Sequence, residues 1–107
     1  MGNAGYRRGA AKENRRARQL EADGWVCAVT RGSHGPFDIL AVRAGRRPRL
    51  EQVKSTRTPF SSFPPREREQ LLELGRRAGA DVFLVWFPPR SNDPVVIPPE
   101  DWPKRKG

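Results

Sequence analysis

The sequence predicts an α/β fold, a central mixed β-sheet flanked by helices. Three features carry that expectation. Two segments, 10–22 and 65–79, place apolar residues at helical spacing. Short runs rich in Val, Ile, Phe and Trp between and after them have the character of strands. The resulting order is helix, three strands, helix, strand, short strand, which one mixed sheet accommodates. The 107 residues suit a single compact domain. A core of that size is modest, so a dimer would add useful burial.

Residues 1–9 are basic and contain glycine, and are expected to form a flexible arm. Residues 10–98 form the folded domain, and residues 99–107, which include DWPKRKG, a loose basic tail. The first helix runs from about Ala10 to Ala22, with Gly24 as its stop. On a wheel of about 100° per residue, Ala10, Ala17 and Leu20 share one side. Arg8, Lys12, Arg15, Arg16 and Gln19 take the other. Glu13 falls within the apolar stripe, between Leu20 and Ala17. A carboxylate aimed at a core needs a partner or a metal. The plain alternative is that Glu13 reaches out to a nearby arginine.

WVCAVTRG, from Trp25 to Gly32, is the first strand, and the turn-rich GSHGP follows. The second strand spans Phe37 to Arg43. Its two faces, Asp38, Leu40 and Val42 against Phe37, Ile39 and Ala41, are both largely apolar. That pattern predicts a strand covered on both sides, with Asp38 buried near its start. GRRP is a hairpin turn, and RLEQVKSTR, Arg49 to Arg57, is the third strand. TPFSSFPP is a loop. PREREQLLELGRRAG is the second helix, with Pro65 in its first turn and Leu71, Leu74 and Ala78 on one face. DVFLVWF is an apolar fourth strand, and PVVIP a short edge strand limited by its prolines.

Charge narrows the functional classes. Lys and Arg number 21 against 12 Asp and Glu, for a formal net charge of +9. Such a balance points to a polyanion, either nucleic acid or an anionic membrane surface. The preponderance of arginine favours bidentate phosphate contacts, although a GC-rich genome would give the same bias. No apolar run approaches the roughly 20 residues needed to span a bilayer. The N-terminus also lacks a signal-peptide pattern, so a reducing, cytoplasmic setting is expected. The single Cys27 cannot form an internal disulfide, and one Cys with one His makes no zinc-type ligand set. Cys27 is expected as a buried strand residue. Eleven prolines suggest stiff loops.

The chemistry concentrates in the hairpin. Side chains alternate along a strand, so Leu50, Gln52 and Lys54 face one way and Arg49, Glu51 and Val53 the other. Asp38, at the start of one strand, and Lys54, at the end of the next, lie side by side in the hairpin. If their faces coincide, Asp38, Gln52 and Lys54 converge, and Glu13 from the packed helix makes a fourth. Carboxylate and amide oxygens suit Mg²⁺. A metal held there polarises a phosphate and lowers the pKa of a bound water, while a lysine holds the water or the charge on phosphorus. A β-bulge at Glu51 would instead turn that carboxylate into the site.

This arrangement resembles the PD-(D/E)XK nuclease superfamily, its motif here being Pro36-Phe37-Asp38 followed by Gln52-Val53-Lys54. More narrowly, YRRGAAKENRRARQLEADGWVCAVTRGSHGPFDILAV resembles the N-terminal half of archaeal-type Holliday junction resolvases. The likeness extends over about residues 5–57. It implies a restriction-endonuclease-like fold. It also implies that Glu13, Asp38 and Gln52 form a metal site for Mg²⁺, with Mn²⁺ as a substitute. Lys54 becomes the catalytic lysine and Ser33 part of an active-site loop. The implied activity is paired, symmetric nicking of four-way DNA junctions by a homodimer whose two-fold axis matches that of the junction.

Two departures bear on this. Gln52 stands where the family has Glu, which implies weaker Mg²⁺ binding or a preference for Mn²⁺. Phe37 separates Pro36 from Asp38. Arg7, Arg8, Arg15, Arg16, Arg31, His34 and Arg57 are expected to contact DNA, with Arg18, Arg46, Arg47 and Arg49 also near the site. Phe60, Phe63 and Trp86 are candidates for the dimer interface or for the core. Two rival functions stand beside the resolvase: another PD-(D/E)XK endonuclease with a different DNA preference, and a non-catalytic nucleic-acid binder in which Gln52 marks a decayed site.

Overall fold

The computed structural model describes residues 4–30 and 35–104, with side chains from Ala10 onward. Five strands form one mixed sheet in the order β1-β2-β3-β4-β5. They are β1 Val26–Val29, β2 Ile39–Val42, β3 Arg49–Ser55, β4 Asp81–Phe87 and β5 Val95–Ile97. Helix α1, Ala4–Ala22, precedes the sheet, and α2, Pro65–Ala78, joins β3 to β4. Neighbours pair antiparallel except β3 and β4, which run parallel. A parallel pair needs a crossover, and α2 provides it. The expected element order and the α/β class are both present. Helix α1 begins at Ala4 rather than Ala10, inside the segment expected to be a loose arm.

The alternation of each strand divides the core in two. Ile39, Ala41, Val53, Val85 and Phe87 pack under Ala17 and Leu20 of α1. Leu50, Val82 and Leu84 face the other way and pack with Leu71 of α2, Phe63 and Trp102. Helix α2 approaches β4 so closely that only glycine fits at 75, where an added Cβ would lie 2.5 Å from Val82 Cγ1. Gly79 ends the helix in the left-handed region, φ 65°, and its N–H donates to the Gly75 carbonyl.

Several expectations need correction. Trp102 is buried, not part of a loose tail: it meets Phe63 edge-on at 5.0 Å, and its indole N–H donates to the Ile97 carbonyl. Phe63 is wholly buried and so belongs to the core rather than to an interface, while Trp86 is partly buried and donates to the Thr56 carbonyl. Strand β2 is covered fully only on the α1 side, since Val42 is exposed on the other face. Cys27 is half-buried, its thiol directed at the Ala17 carbonyl.

The polar side of α1 is not a solvated face. Lys12 Nζ donates to the Ser91 carbonyl at 3.0 Å and to Asn92 Oδ1 at 3.2 Å, and sits 5.1 Å from the Phe87 ring centre. Gln19 donates to the Asn92 carbonyl. These bonds tie α1 to the β4–β5 loop.

Candidate active site

Asp38 sits one step before β2, where the ladder to β3 gives out. Its own N–H donates to the Glu51 carbonyl at 2.8 Å. The next amide along, that of Val53, lacks a backbone partner on β2, and Asp38 Oδ2 accepts it at 2.8 Å. A buried N–H must be satisfied, so this bond both closes the ladder and sets the carboxylate's orientation. Asp38 is only 6% exposed.

The faces of β3 are settled by its neighbours. Val53 belongs to the core under α1 and Leu50 to the core under α2. Gln52 and Lys54, in step with Leu50, therefore point to the α2 side: they share a face as expected, but it is the face opposite α1, the helix that carries Glu13. Pairing with β4 is continuous from Arg49–Asp81 to Ser55–Phe87, so β3 has no bulge and Glu51 does not turn into the site.

Glu51 lies instead on the α1 side with no exposed surface. Arg16 grips it with both arms of its fork, Nε to Oε1 at 2.7 Å and Nη2 to Oε2 at 3.0 Å. Arg49 adds a contact from Nη2 to Oε2 at 2.9 Å. The Arg49 guanidinium lies 4.0 Å from the Phe83 ring centre and 5.5 Å from that of Trp25. Arg16 was expected to hold DNA phosphate and Arg49 to border the site. Both are committed to this buried carboxylate, with side chains only 11% and 20% exposed.

Glu13 is half-buried, and its carboxyl is pushed up to about 7. Desolvation is the main cause and the nearby Asp38 carboxylate adds to it, while the Lys54 ammonium acts in the opposite sense. Asp38 is also raised, chiefly by burial, against the opposing effects of the Val53 N–H and Lys54. Glu13, Asp38 and Lys54 thus lie within electrostatic reach of one another at one end of the sheet. Glu67, in the first turn of α2, adds a further negative influence on Asp38. Sequence reading missed Glu67, because an acid in a helix's first turn already has an ordinary explanation in the helix dipole.

Carboxylate oxygens are donors of the kind a hard cation takes. Burial raises both carboxyls, Asp38 adds to the effect on Glu13 and Glu67 to that on Asp38, and Lys54 opposes both. The third oxygen donor would be the Gln52 amide. Among the described residues no group of three or more His, Cys, Asp or Glu could hold a metal ion. Ser33, Arg31 and His34 lie outside the described residues, as do the side chains of Arg7 and Arg8. Arg15 and Arg57 are exposed. Arg47 pairs with Asp81 on the surface at 3.0 Å.

No protein-family model and no curated protein matches the sequence. Among solved structures the chain is similar to Hjc of Archaeoglobus fulgidus, a Holliday junction resolvase from an archaeal hyperthermophile. The TM-score is 0.75 over 92% of this chain and 79% of that one, at 21% sequence identity. The chain therefore has the restriction-endonuclease-like fold of that resolvase. No helix among the described residues is long and apolar enough to cross a membrane.

Proposed function

We propose that the protein is a metal-dependent endonuclease that cuts four-way DNA junctions as a homodimer. The observation that carries this reading is the meeting of Glu13, Asp38 and Lys54 at one end of a sheet whose fold is that of an archaeal junction resolvase. The net charge of +9 supports a polyanionic substrate.

Glu13, Asp38 and the Gln52 amide would hold Mg²⁺ or Mn²⁺, and the ion would supply an activated water and offset charge on the phosphate. Lys54 donates to a non-bridging oxygen of the scissile phosphate, or orients the water that attacks phosphorus as the P–O bond breaks. Asp38 needs no rearrangement to take part, because the Val53 N–H already fixes its carboxylate. Exposed Arg15 and Arg57 are placed to contact the phosphate backbone.

A dimer has a surface to use. Val26 and Val42, paired across β1 and β2, are 69% and 42% exposed. Joining this patch to its two-fold copy would cover it and set two sites on opposite strands.

The test is a labelled four-way junction beside a matching linear duplex, each with Mg²⁺ or Mn²⁺, and an Asp38→Asn control. Paired nicks in the junction alone, lost in the control, are the expected result. Strong cutting of the duplex would move the function to another endonuclease of this fold. Tight junction binding with no metal-dependent cut would make the chain a DNA-structure binder, a reading that the glutamine at 52 favours.

A further inference from the structure

Helix α1 carries Glu13 but has little apolar grip on the sheet. Among its described residues only Ala17 and Leu20 are buried hydrophobics. Lys12 and Gln19 tie the helix to the β4–β5 loop, but the two apolar contacts alone do not set how far it slides along the strands that carry Asp38 and Lys54. A bidentate guanidinium–carboxylate pair is different, because its two parallel bonds hold only at one distance and one angle. Such a pair joins Arg16 of α1 to Glu51 of β3. Arg49 and the rings around it hold the far side of Glu51, so the carboxylate itself is immobile.

The spacing makes this matter for the site. The wheel set Arg16 opposite Glu13, but the structure turns Arg16 to the sheet, and three residues of spacing then put it one turn from Glu13 on that side of the helix. Glu51 is next in sequence to Gln52, on the strand that also bears Lys54. The Arg16–Glu51 pair is therefore the shortest rigid path from one half of the site to the other. A buried ion pair is often replaceable by apolar side chains with no loss of stability, and its best-attested use is to fix register.

We propose that Glu51, through Arg16, is a positioning residue that sets Glu13 in register with Asp38 and Lys54. This rests on the metal-site reading above. Glu51 touches neither metal nor DNA. It decides where the helix-borne carboxylate stands relative to the strand-borne ones.

The experiment is Mn²⁺ binding by titration calorimetry, with thermal unfolding of each variant, on wild type, Arg16→Lys and the double variant Arg16→Met with Glu51→Leu. Lysine keeps the charge but loses the fork. The double variant removes the Arg16–Glu51 pair and keeps the volume, while Arg49, with its side chain 20% exposed, stays stacked on the Phe83 and Trp25 rings. The expected result is unfolding within a few degrees of wild type but Mn²⁺ affinity about 10- to 100-fold weaker, the cost typical of losing a residue that orients a metal ligand. Wild-type affinity in a folded double variant overturns the inference. If the double variant does not fold, Arg16→Lys decides alone: unchanged affinity overturns the inference, and a loss of roughly 10-fold supports it. A wild type that binds no Mn²⁺, and behaves like an Asp38→Asn control, overturns the metal-site reading itself and this inference with it.

Discussion

Strand β3 meets buried acid on both its faces, and the two are handled in opposite ways. On the α1 side Glu51 has no exposure and two arginines around it. At the end of the sheet Glu13 and Asp38 both feel the Lys54 ammonium among the described residues, and both carboxyls are raised. The chain has ample arginine to neutralise the second pair, and exposed arginines such as Arg15 and Arg18 on the same helix. A cation brought from outside, as proposed above, would relieve that pair. In that reading the acid paired with arginine holds the scaffold, and the two raised acids serve the site.

The largest expected effect tests the second half of that contrast. Asp38→Asn removes a ligand but keeps an oxygen to accept the Val53 N–H, so folding should survive. Metal-dependent junction cleavage should fall by more than about 100-fold, beyond the cost of losing an outer-shell partner. Junction affinity in a gel-shift assay should hardly change. Cleavage surviving in this variant would remove Asp38 from the site.

Next in size is a pair of neutral substitutions whose effects should differ in sign. Glu51→Gln leaves two arginines facing an amide in a dry site, and should cost about 3 kcal/mol or more in urea unfolding. Glu13→Gln removes a charge that is poorly solvated and repelled by Asp38, and should raise stability at pH 8 without metal. If both variants lose stability alike, the distinction between structural and functional acid fails.

Much of this contrast was legible in the sequence, and the missing part has a common cause. Period-two alternation was enough to place Gln52 and Lys54 on one face of β3 and Glu51 on the other. Helical spacing was enough to put Glu13 on the apolar side of α1. Both depend on local geometry. The partners of Arg16 and Lys12 depend on contacts 35 and 79 residues away along the chain, which no local period encodes. A wheel counts an arginine as solvated unless a buried carboxylate is known to face it. Trp102 was misjudged for a related reason. Prolines and lysines around it suggested a loose tail, while its place in the core depends on Phe63, far away in the chain.

The pH dependence is a gentler probe of the same difference. The Glu13 carboxyl moves from an ordinary 4.5 to about 7 in the folded protein. Between those values the folded state keeps a proton that the unfolded chain has released. Stability from this group is therefore greatest at low pH and declines as pH rises through the window. Asp38, raised as well, acts in the same direction. The melting temperature without metal should fall from pH 5 to pH 8, and the Glu13→Gln variant should show a shallower fall. Saturating Mn²⁺ should offset the decline at pH 8, because the ion binds the ionised pair in the folded state only.

The smallest effect expected comes from Gln52→Glu, and it separates a weakened site from a dead one. The new carboxylate would add negative charge at the end of the sheet where Glu13 and Asp38 are already raised. Without metal it should lower stability at pH 8, by the same repulsion that raises Glu13. With metal it should tighten Mg²⁺ binding by roughly 10-fold, since affinity for a hard cation grows with ligand charge. Both changes together would show that position 52 is a ligand and that glutamine is a weaker version of it. A loss of stability with unchanged Mg²⁺ affinity would place residue 52 beside the ion, leaving Glu13 and Asp38 as its protein donors.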